Sequence, residues 1–298
     1  MFVGHAVLAF ALAVLLAQRW LPRRETLAVG VVAGLFATVP DVDMAYALAG
    51  LAGALGDGGA LAVADGFWSA STATHRGATH SLLVALPAAA AFALGGKWGL
   101  ALSGGLVAVG AAVGGPLTAL VVGLFALAGL VVGALGRGAL SRQWVAGAAV
   151  LGLVSHPFGD LLTGEPPALL WPLDVTVFAA RLAPFGDPTL NLLLAFFVEV
   201  AVLWAGALTY AAFSDTDLRA SLRPKAALGA AYAGAVVLVP PPTMAASYQF
   251  VFSVLAVGFV GAVPAPRRPR LDEALVTGLA AVTLAGGAYA VAYLHVVA

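Results

Sequence analysis

The chain has 298 residues, of which 62% are hydrophobic and only 9% charged, and its 14 basic residues balance its 14 acidic ones. With a mean hydropathy of +1.01, this composition excludes both a water-soluble globule and a disordered chain. The sequence contains no cysteine, so a metal would have to be held by histidine nitrogens and carboxylate oxygens. Because basic residues form only short runs, we expect no nucleic-acid partner.

Apolar runs long enough to cross a membrane, which takes about 20 residues, recur along the chain. The first run has no basic start and ends at Arg19, so we interpret it as a retained helix and not as a cleaved signal peptide. Two longer runs hold two spans each, divided by Gly114-Gly115-Pro116 and by Pro240-Pro241-Pro242. The predicted fold is an all-α polytopic bundle of ten spans: 1–17, 27–40, 81–96, two in 98–136, 143–160, 190–213, two in 226–266, and 274–294.

Residues 44–56 are too short to cross, and we predict a re-entrant segment or a lid there, in a linker that continues to residue 74. Basic residues near span ends favour the cytoplasmic side. The ten spans alternate without conflict when most Lys and Arg residues are placed inside, which predicts both termini outside a multi-pass cell-membrane protein. Arg76 and Arg181 are the exceptions.

Several ionisable residues lie at span ends opposite the Arg-rich loops, and we expect them to meet in one extracytoplasmic layer. They are His5, Asp41, Asp43, His75, His80, His156 and Asp160. Ionisable side chains at membrane depth are costly and therefore candidates for function. Imidazole and carboxylate ligands predict a divalent metal, with Zn²⁺ first and Mn²⁺ or Fe²⁺ as alternatives. His5 is included only because it shares this layer.

The two histidine motifs leave structural alternatives open. His156 and Asp160 are four residues apart, which places them on one helical face. They either bind one ion or form a buried hydrogen bond, and Pro157 weakens strict helical spacing. His75 and His80 are five apart across a glycine, so a turn either directs both imidazoles at one site or serves only the fold.

Three residues are candidates for catalysis: Asp43, Arg76 and Glu199. If Asp41 and Asp43 are extended, they point to opposite sides, so one would face the ion while the other orients a histidine or accepts from Arg76. Asp41 could instead cap the helix from Met44. Arg76 has planar donors suited to a substrate phosphate or carboxylate, or forms a salt bridge to an acid. Glu199 lies within an apolar span. It either contacts a metal ligand, relays protons or belongs to a buried polar network.

These motifs resemble the YdjM-type family of bacterial and archaeal membrane proteins, commonly described as membrane-bound metal-dependent hydrolases. The resemblance rests on Gly4-His5, Pro40-Asp41-Val42-Asp43, His75-Arg76-Gly77 with His80-Ser81, and His156 to Asp160 followed by Leu161-Leu162-Thr163. It covers residues 1–172 and implies metal-dependent hydrolysis. We therefore predict a metal-site domain at 1–172 and further spans without a motif at 173–298.

The order of acids and histidines is also distantly similar to the zinc-dependent phospholipase C and P1 nuclease group. His156 to Asp160 matches that group's His-x-x-x-Asp element, whereas its later His-x-x-x-Glu element is missing here, which argues against a three-metal cluster. The likeness favours a phosphate-containing substrate. We thus expect a membrane hydrolase whose partners are membrane lipids and a lipid-like or phosphate-bearing substrate; the alternative is an ion- or proton-coupled transporter that uses the same His and Asp residues.

Overall fold

The computed structural model describes residues 2–54, 75–264 and 267–297, together with residues 59, 63, 66, 69 and 70. Within these residues the protein is all-α, as predicted. It divides into two compact units, Met1–Arg181 and Leu182–Ala298. The division predicted from the motifs falls at residue 172.

The first unit contains six α-helices and three short 3₁₀ segments among its described residues. The helices are α1 (Phe2–Ala17), α2 (Arg23–Thr38), α3 (Ala47–Ala54), α4 (Leu82–Leu94), α5 (Gly96–Arg137) and α6 (Arg142–Gly159). The 3₁₀ segments are Pro40–Tyr46, Ala78–His80 and Asp160–Leu162. Each 3₁₀ segment adjoins the end of a helix, where such turns are common.

Helix α5 turns back on itself at the predicted glycine-proline signal. Gly115 has φ 77°, a left-handed conformation that favours glycine. A Cβ on Gly110 would lie 3.4 Å from Val122, so the two arms of this 42-residue helix pack against each other. The turn therefore lies where it was predicted.

Helix α2 is central to the first unit because it packs against both α1 and α6. Its Phe36 ring stacks on Phe92 of α4 with 6.0 Å between centroids. On α6, Gly152 lies so close to α2 that a Cβ there would be 2.5 Å from the Ala33 carbonyl oxygen. This close approach brings the carboxyl ends of α2 and α6 together.

The second unit is built around a long terminal helix. Its α-helices are α7 (Pro188–Ser214), α8 (Leu218–Ser221), α9 (Ala235–Leu238), α10 (Tyr248–Ala256) and α11 (Leu271–Val297), and its 3₁₀ segments are Pro224–Gly234, Met244–Ala246 and Val257–Ala262. Helix α11 packs against two of the 3₁₀ segments and α7. The core is rich in aromatic rings, with Phe250 and Tyr289 5.1 Å apart.

Five described helical stretches are long and apolar enough to cross a membrane: Arg23–Ala54, Gly96–Arg137, Arg142–Leu162, Pro188–Ser214 and Leu271–Val296. Four shorter apolar helices are Val3–Ala17, Leu82–Leu94, Pro224–Leu238 and Gln249–Ala262. These lengths establish several candidate spans, and ten separate spans stay a prediction.

The predicted lid or re-entrant segment is helical where it is described. Residues 44–54 continue from α2 through the 3₁₀ segment Pro40–Tyr46 into α3. Residues 55 and 56 and most of the predicted linker to residue 74 lie outside the described residues.

Candidate metal centre

All seven histidines and aspartates predicted to share one layer lie in the first unit, and the structure brings them together. His5, His156 and Asp160 present ligand atoms within 4.8 Å of one another, and so do Asp41, His75 and His80. Asp43 is hydrogen-bonded to His75. Each residue comes from a helix end or an adjacent turn, which is why segments so far apart in sequence meet at one place.

Four of these residues form a close group of ligand atoms, which we call the His–Asp quartet: His80 Nε2, His156 Nε2, Asp41 Oδ1 and Asp160 Oδ2. The two Nε2 atoms are 3.0 Å apart. His80 Nε2 lies 3.2 Å from Asp160 Oδ2 and 3.9 Å from Asp41 Oδ1. His156 Nε2 lies 3.4 Å from Asp41 Oδ1 and 3.7 Å from Asp160 Oδ2.

A backbone carbonyl of helix α2 determines which ring nitrogen of His156 carries the proton. Nδ1 of His156 lies 2.7 Å from the Ala37 carbonyl oxygen, and because a carbonyl only accepts, Nδ1 must donate. In a neutral imidazole this leaves Nε2 with a lone pair. The Nε2 atom that faces the quartet is therefore free to bind a cation.

Hydrogen bonds in the turn before α4 determine which ring nitrogen of His80 carries the proton. Thr79 Oγ1 donates to Asp43 Oδ2 at 2.9 Å, so it accepts from His80 Nδ1, also 2.9 Å away. In a neutral ring this leaves the Nε2 of His80 with a lone pair, which also faces the quartet.

These assignments bring four electron-rich atoms together without a hydrogen between them. Two lone pairs at 3.0 Å repel, and Asp160 Oδ2 is buried without a hydrogen-bond partner among the described residues. A bridging proton would relieve one such pair, whereas a metal ion would satisfy all four atoms. Nitrogen and oxygen ligands in this number fit Zn²⁺, for which four-coordinate sites are usual.

Asp160 is held in position through its other oxygen. His5 Nε2 and Arg76 Nη2 both donate to Asp160 Oδ1 at 3.2 Å. Arg76 also donates to the carbonyls of Thr163 and Glu165 and to the Thr163 hydroxyl. This fixes the chain that follows α6, and the Arg76 backbone has φ 66°, a conformation rare outside glycine that surrounding contacts must maintain.

Asp43 contacts groups beside the quartet. Its carboxylate is fully buried and accepts from His75 Nδ1 at 2.9 Å, from the Arg76 backbone N–H at 3.2 Å and from the Thr79 hydroxyl. Three donors stabilise an ionised carboxylate. The hydrogen bond through Nδ1 directs Nε2 of His75 away from Asp43. The His75 side chain is 16% exposed.

The structure gives the geometry of three residues for which the sequence left alternatives open: Asp41, Asp43 and Arg76. Asp41 and Asp43 are not in an extended strand, because Pro40 starts a 3₁₀ segment that contains both. Asp41 is also not a cap, since Val39 precedes that segment and no side chain caps it; Asp41 instead faces His156. Arg76 forms the salt bridge that was the alternative to substrate binding, with Asp160 as the acid.

In sequence, Glu199 is distant from the residues of this cluster, and it lies on α7 of the second unit.

Two groups that determine which imidazole nitrogens carry protons were missed in the reading of the sequence. Thr79 lies inside the His75–His80 motif, and its place directly before His80 is the signal that could have identified it. The role of Ala37 depends on its backbone carbonyl, so nothing in its side chain indicates it.

We expect Arg76→Lys to weaken metal binding. A lysine keeps the charge but cannot reach Asp160, Thr163 and Glu165 together, so Asp160 would lose its orientation. Loss of groups that orient metal ligands costs about 10–100-fold in affinity, measurable by competition with a chelating dye. Arg181→Lys, at an exposed position of the same unit, should leave the affinity unchanged, and equal affinities for both variants would contradict this role of Arg76.

Comparison with known proteins places the chain in one family. No curated protein and no solved structure matches it. The family model described as YdjM inner membrane protein matches residues 1–214, which include every residue of the cluster. The chain therefore belongs to the YdjM inner membrane protein family.

Proposed function

We propose that the first unit is a metal-dependent hydrolase that acts on a phosphate-bearing, lipid-like substrate at the membrane surface. The observation that carries this proposal is the His–Asp quartet, in which two imidazole lone pairs and two carboxylates face one point. Such a group is expensive to bury without a cation. We place the site on the extracytoplasmic side, following the distribution of Lys and Arg.

The residues of the quartet would hold the ion, and their neighbours would keep them in place. A bound divalent ion supplies a hydroxide at neutral pH and polarises a phosphoryl oxygen. His5 and Arg76 hold the Asp160 carboxylate, and the Ala37 carbonyl orients His156. These contacts preorganise the ligands, so little reorganisation is needed when an ion binds.

His75 is the residue best placed to move a proton. Its Nδ1 donates to the buried Asp43, so its Nε2 is unprotonated in the neutral ring and can accept a proton from the attacking water. Its ring lies beside His80, with centroids 5.1 Å apart. Asp43 thus acts through His75, as a positioning residue.

The clustering of buried charge favours a hydrolase over a transporter. In the described residues of the first unit, every fully buried titratable side chain belongs to this cluster: His5, Asp43, His80, His156 and Asp160. An ion pathway would need polar groups at several depths. A transporter is supported instead if vesicles containing the protein show ion flux that Glu199→Gln abolishes, with no lipid phosphate hydrolysed.

We expect His75→Ala to lower turnover without lowering metal content. General-base catalysis contributes about 10²–10⁴-fold, so hydrolysis by the purified protein should fall by that factor. The readout is phosphate release from short-chain phosphatidate, or release of the phosphomonoester from phosphodiester lipids. Metal equivalents, measured by inductively coupled plasma mass spectrometry, should equal those of the unmodified protein. If His75→Ala loses metal in proportion to activity, His75 is a ligand and not the base.

His295→Ala is the matched control for this experiment, because His295 is exposed on α11 of the second unit. It should retain both turnover and metal. Unmodified protein that binds a full equivalent of Zn²⁺, Mn²⁺ or Fe²⁺ and hydrolyses none of these lipids would overturn the proposed activity.

A further inference from the structure

A long non-helical segment begins at the candidate metal centre. Residues 163–187 connect the 3₁₀ segment Asp160–Leu162 to α7. The first part of this segment is tied to the turn that carries the histidines: the Ala168 N–H donates to the Arg76 carbonyl and the Leu82 N–H donates to the Leu169 carbonyl, each at 2.9 Å. The Ser81 hydroxyl donates to the Trp171 carbonyl at 2.6 Å.

Directly after this anchored part, the segment exposes large apolar side chains in alternation. Leu173, Val175 and Val177 are 57%, 52% and 49% exposed, and Asp174 and Thr176 lie between them. Residues 174–176 form no helix or turn, and residues 173 and 177 are bends. We call the three exposed apolar side chains the apolar edge of segment 173–177; Asp174 and Thr176 alternate with them along the sequence.

We propose that the apolar edge of segment 173–177 inserts into the interfacial layer of the phospholipid bilayer. The segment connects two stretches that are long and apolar enough to cross a membrane, Arg142–Leu162 and Pro188–Ser214. A connection between spans lies at the membrane boundary, and its anchored part holds it at the level where α6 ends. The apolar phase next to such a boundary is the lipid, which is where exposed Leu and Val are favourable.

This contact would place lipid headgroups beside the candidate metal centre. Only residue 172 separates the anchored Trp171 from the apolar edge. The anchor reaches Arg76 through a backbone hydrogen bond and Ser81 through the Ser81 hydroxyl. Asp174 and Thr176, which alternate with the apolar residues in sequence, would face water and headgroups. Lipid contact of this kind does not require hydrolysis.

The absence of cysteine allows a direct test, because a single introduced thiol is the only labelling site. Val175→Cys and Asp174→Cys are each labelled with the environment-sensitive fluorophore NBD in full-length protein reconstituted into phosphatidylglycerol–phosphatidylethanolamine nanodiscs. We expect the label at position 175 to emit at shorter wavelength, and to be quenched at least twofold more by lipids with a nitroxide near the carbonyl than the label at position 174. Val177→Cys should repeat the result for position 175.

Two outcomes would overturn the proposal. Equal quenching by iodide in water at positions 174, 175 and 177, with little quenching by nitroxide lipids, would show that the segment lies in water. Protection of positions 175 and 177 from both quenchers would show that the apolar edge packs against protein. Neither result would bear on metal content or hydrolysis, so failure here is distinct from failure of the proposed activity.

Discussion

His156→Ala is expected to remove most of the bound metal and the associated activity. His156 contributes one of the two Nε2 atoms of the quartet and is within 4 Å of both carboxylate oxygens. Loss of the groups that merely orient ligands already costs about 10–100-fold, so we expect the loss of a ligand to exceed about 100-fold in affinity. After dialysis against a weak chelator, the unmodified protein should retain about one equivalent of metal, as for a single site. His156→Ala should retain only a small fraction of that amount.

The control again is His295→Ala, which should keep its metal. Because His156 is fully buried, circular dichroism and a thermal melt are needed to show that the variant folds. Asp160→Asn provides a second test with nearly unchanged shape, and Asp174→Asn is its exposed counterpart. Folded His156→Ala and Asp160→Asn proteins that both retain the metal content of the unmodified protein would rule out the quartet as the metal site.

Gly152→Ala is expected to destabilise the first unit and also disturb the site. Alanine usually stabilises a helix relative to glycine by about 0.5–1 kcal/mol. At this position, however, the added methyl would meet the Ala33 carbonyl oxygen at 2.5 Å and the Ala37 backbone nitrogen at 2.8 Å. Since backbone must move, we expect a net loss of about 1–3 kcal/mol, as for overpacked cores.

Gly147→Ala is a control on the same helix, because in the described part of the chain a Cβ there meets no atom within 4 Å outside its own helical turn. Its thermal midpoint in detergent should equal or exceed that of the unmodified protein, whereas that of Gly152→Ala should fall. Metal affinity should fall only in Gly152→Ala, since α6 would move away from the Ala37 carbonyl that orients His156. Matching midpoints for the two variants would contradict the close packing of α2 and α6.

The helical architecture and the meeting of the polar motifs were predictable because both follow from distribution along the chain. Apolar runs mark helices, and charged residues avoid them, so the ends of α1, α2 and α6 were readily located. Once these ends were assigned to the same side, His5, Asp41 and His156 had to lie in one layer. The glycine-proline turn in α5 was predictable for the same reason, from a local signal in an otherwise uninterrupted apolar run.

The separate roles of the two aspartates were not predictable. Asp41 and Asp43 belong to the same short motif, and only the 3₁₀ geometry places one beside the quartet and the other beside His75. The role of Arg76 depended on the path of residues 160–165, because it donates to the backbone carbonyls of Asp160, Thr163 and Glu165. Tertiary contacts between distant segments decide such assignments, and a pattern along the sequence contains no record of them.

The tautomer of His156 is fixed by the backbone carbonyl of Ala37, a residue whose side chain forms no hydrogen bonds. In the 3₁₀ pattern that follows α2, the Ala37 carbonyl would accept from the backbone nitrogen of residue 40, three positions ahead. Residue 40 is proline, which has no N–H to donate. The carbonyl accepts from His156 Nδ1. A proline at the end of one helix thus removes a competing donor from the carbonyl that orients a histidine on the neighbouring helix.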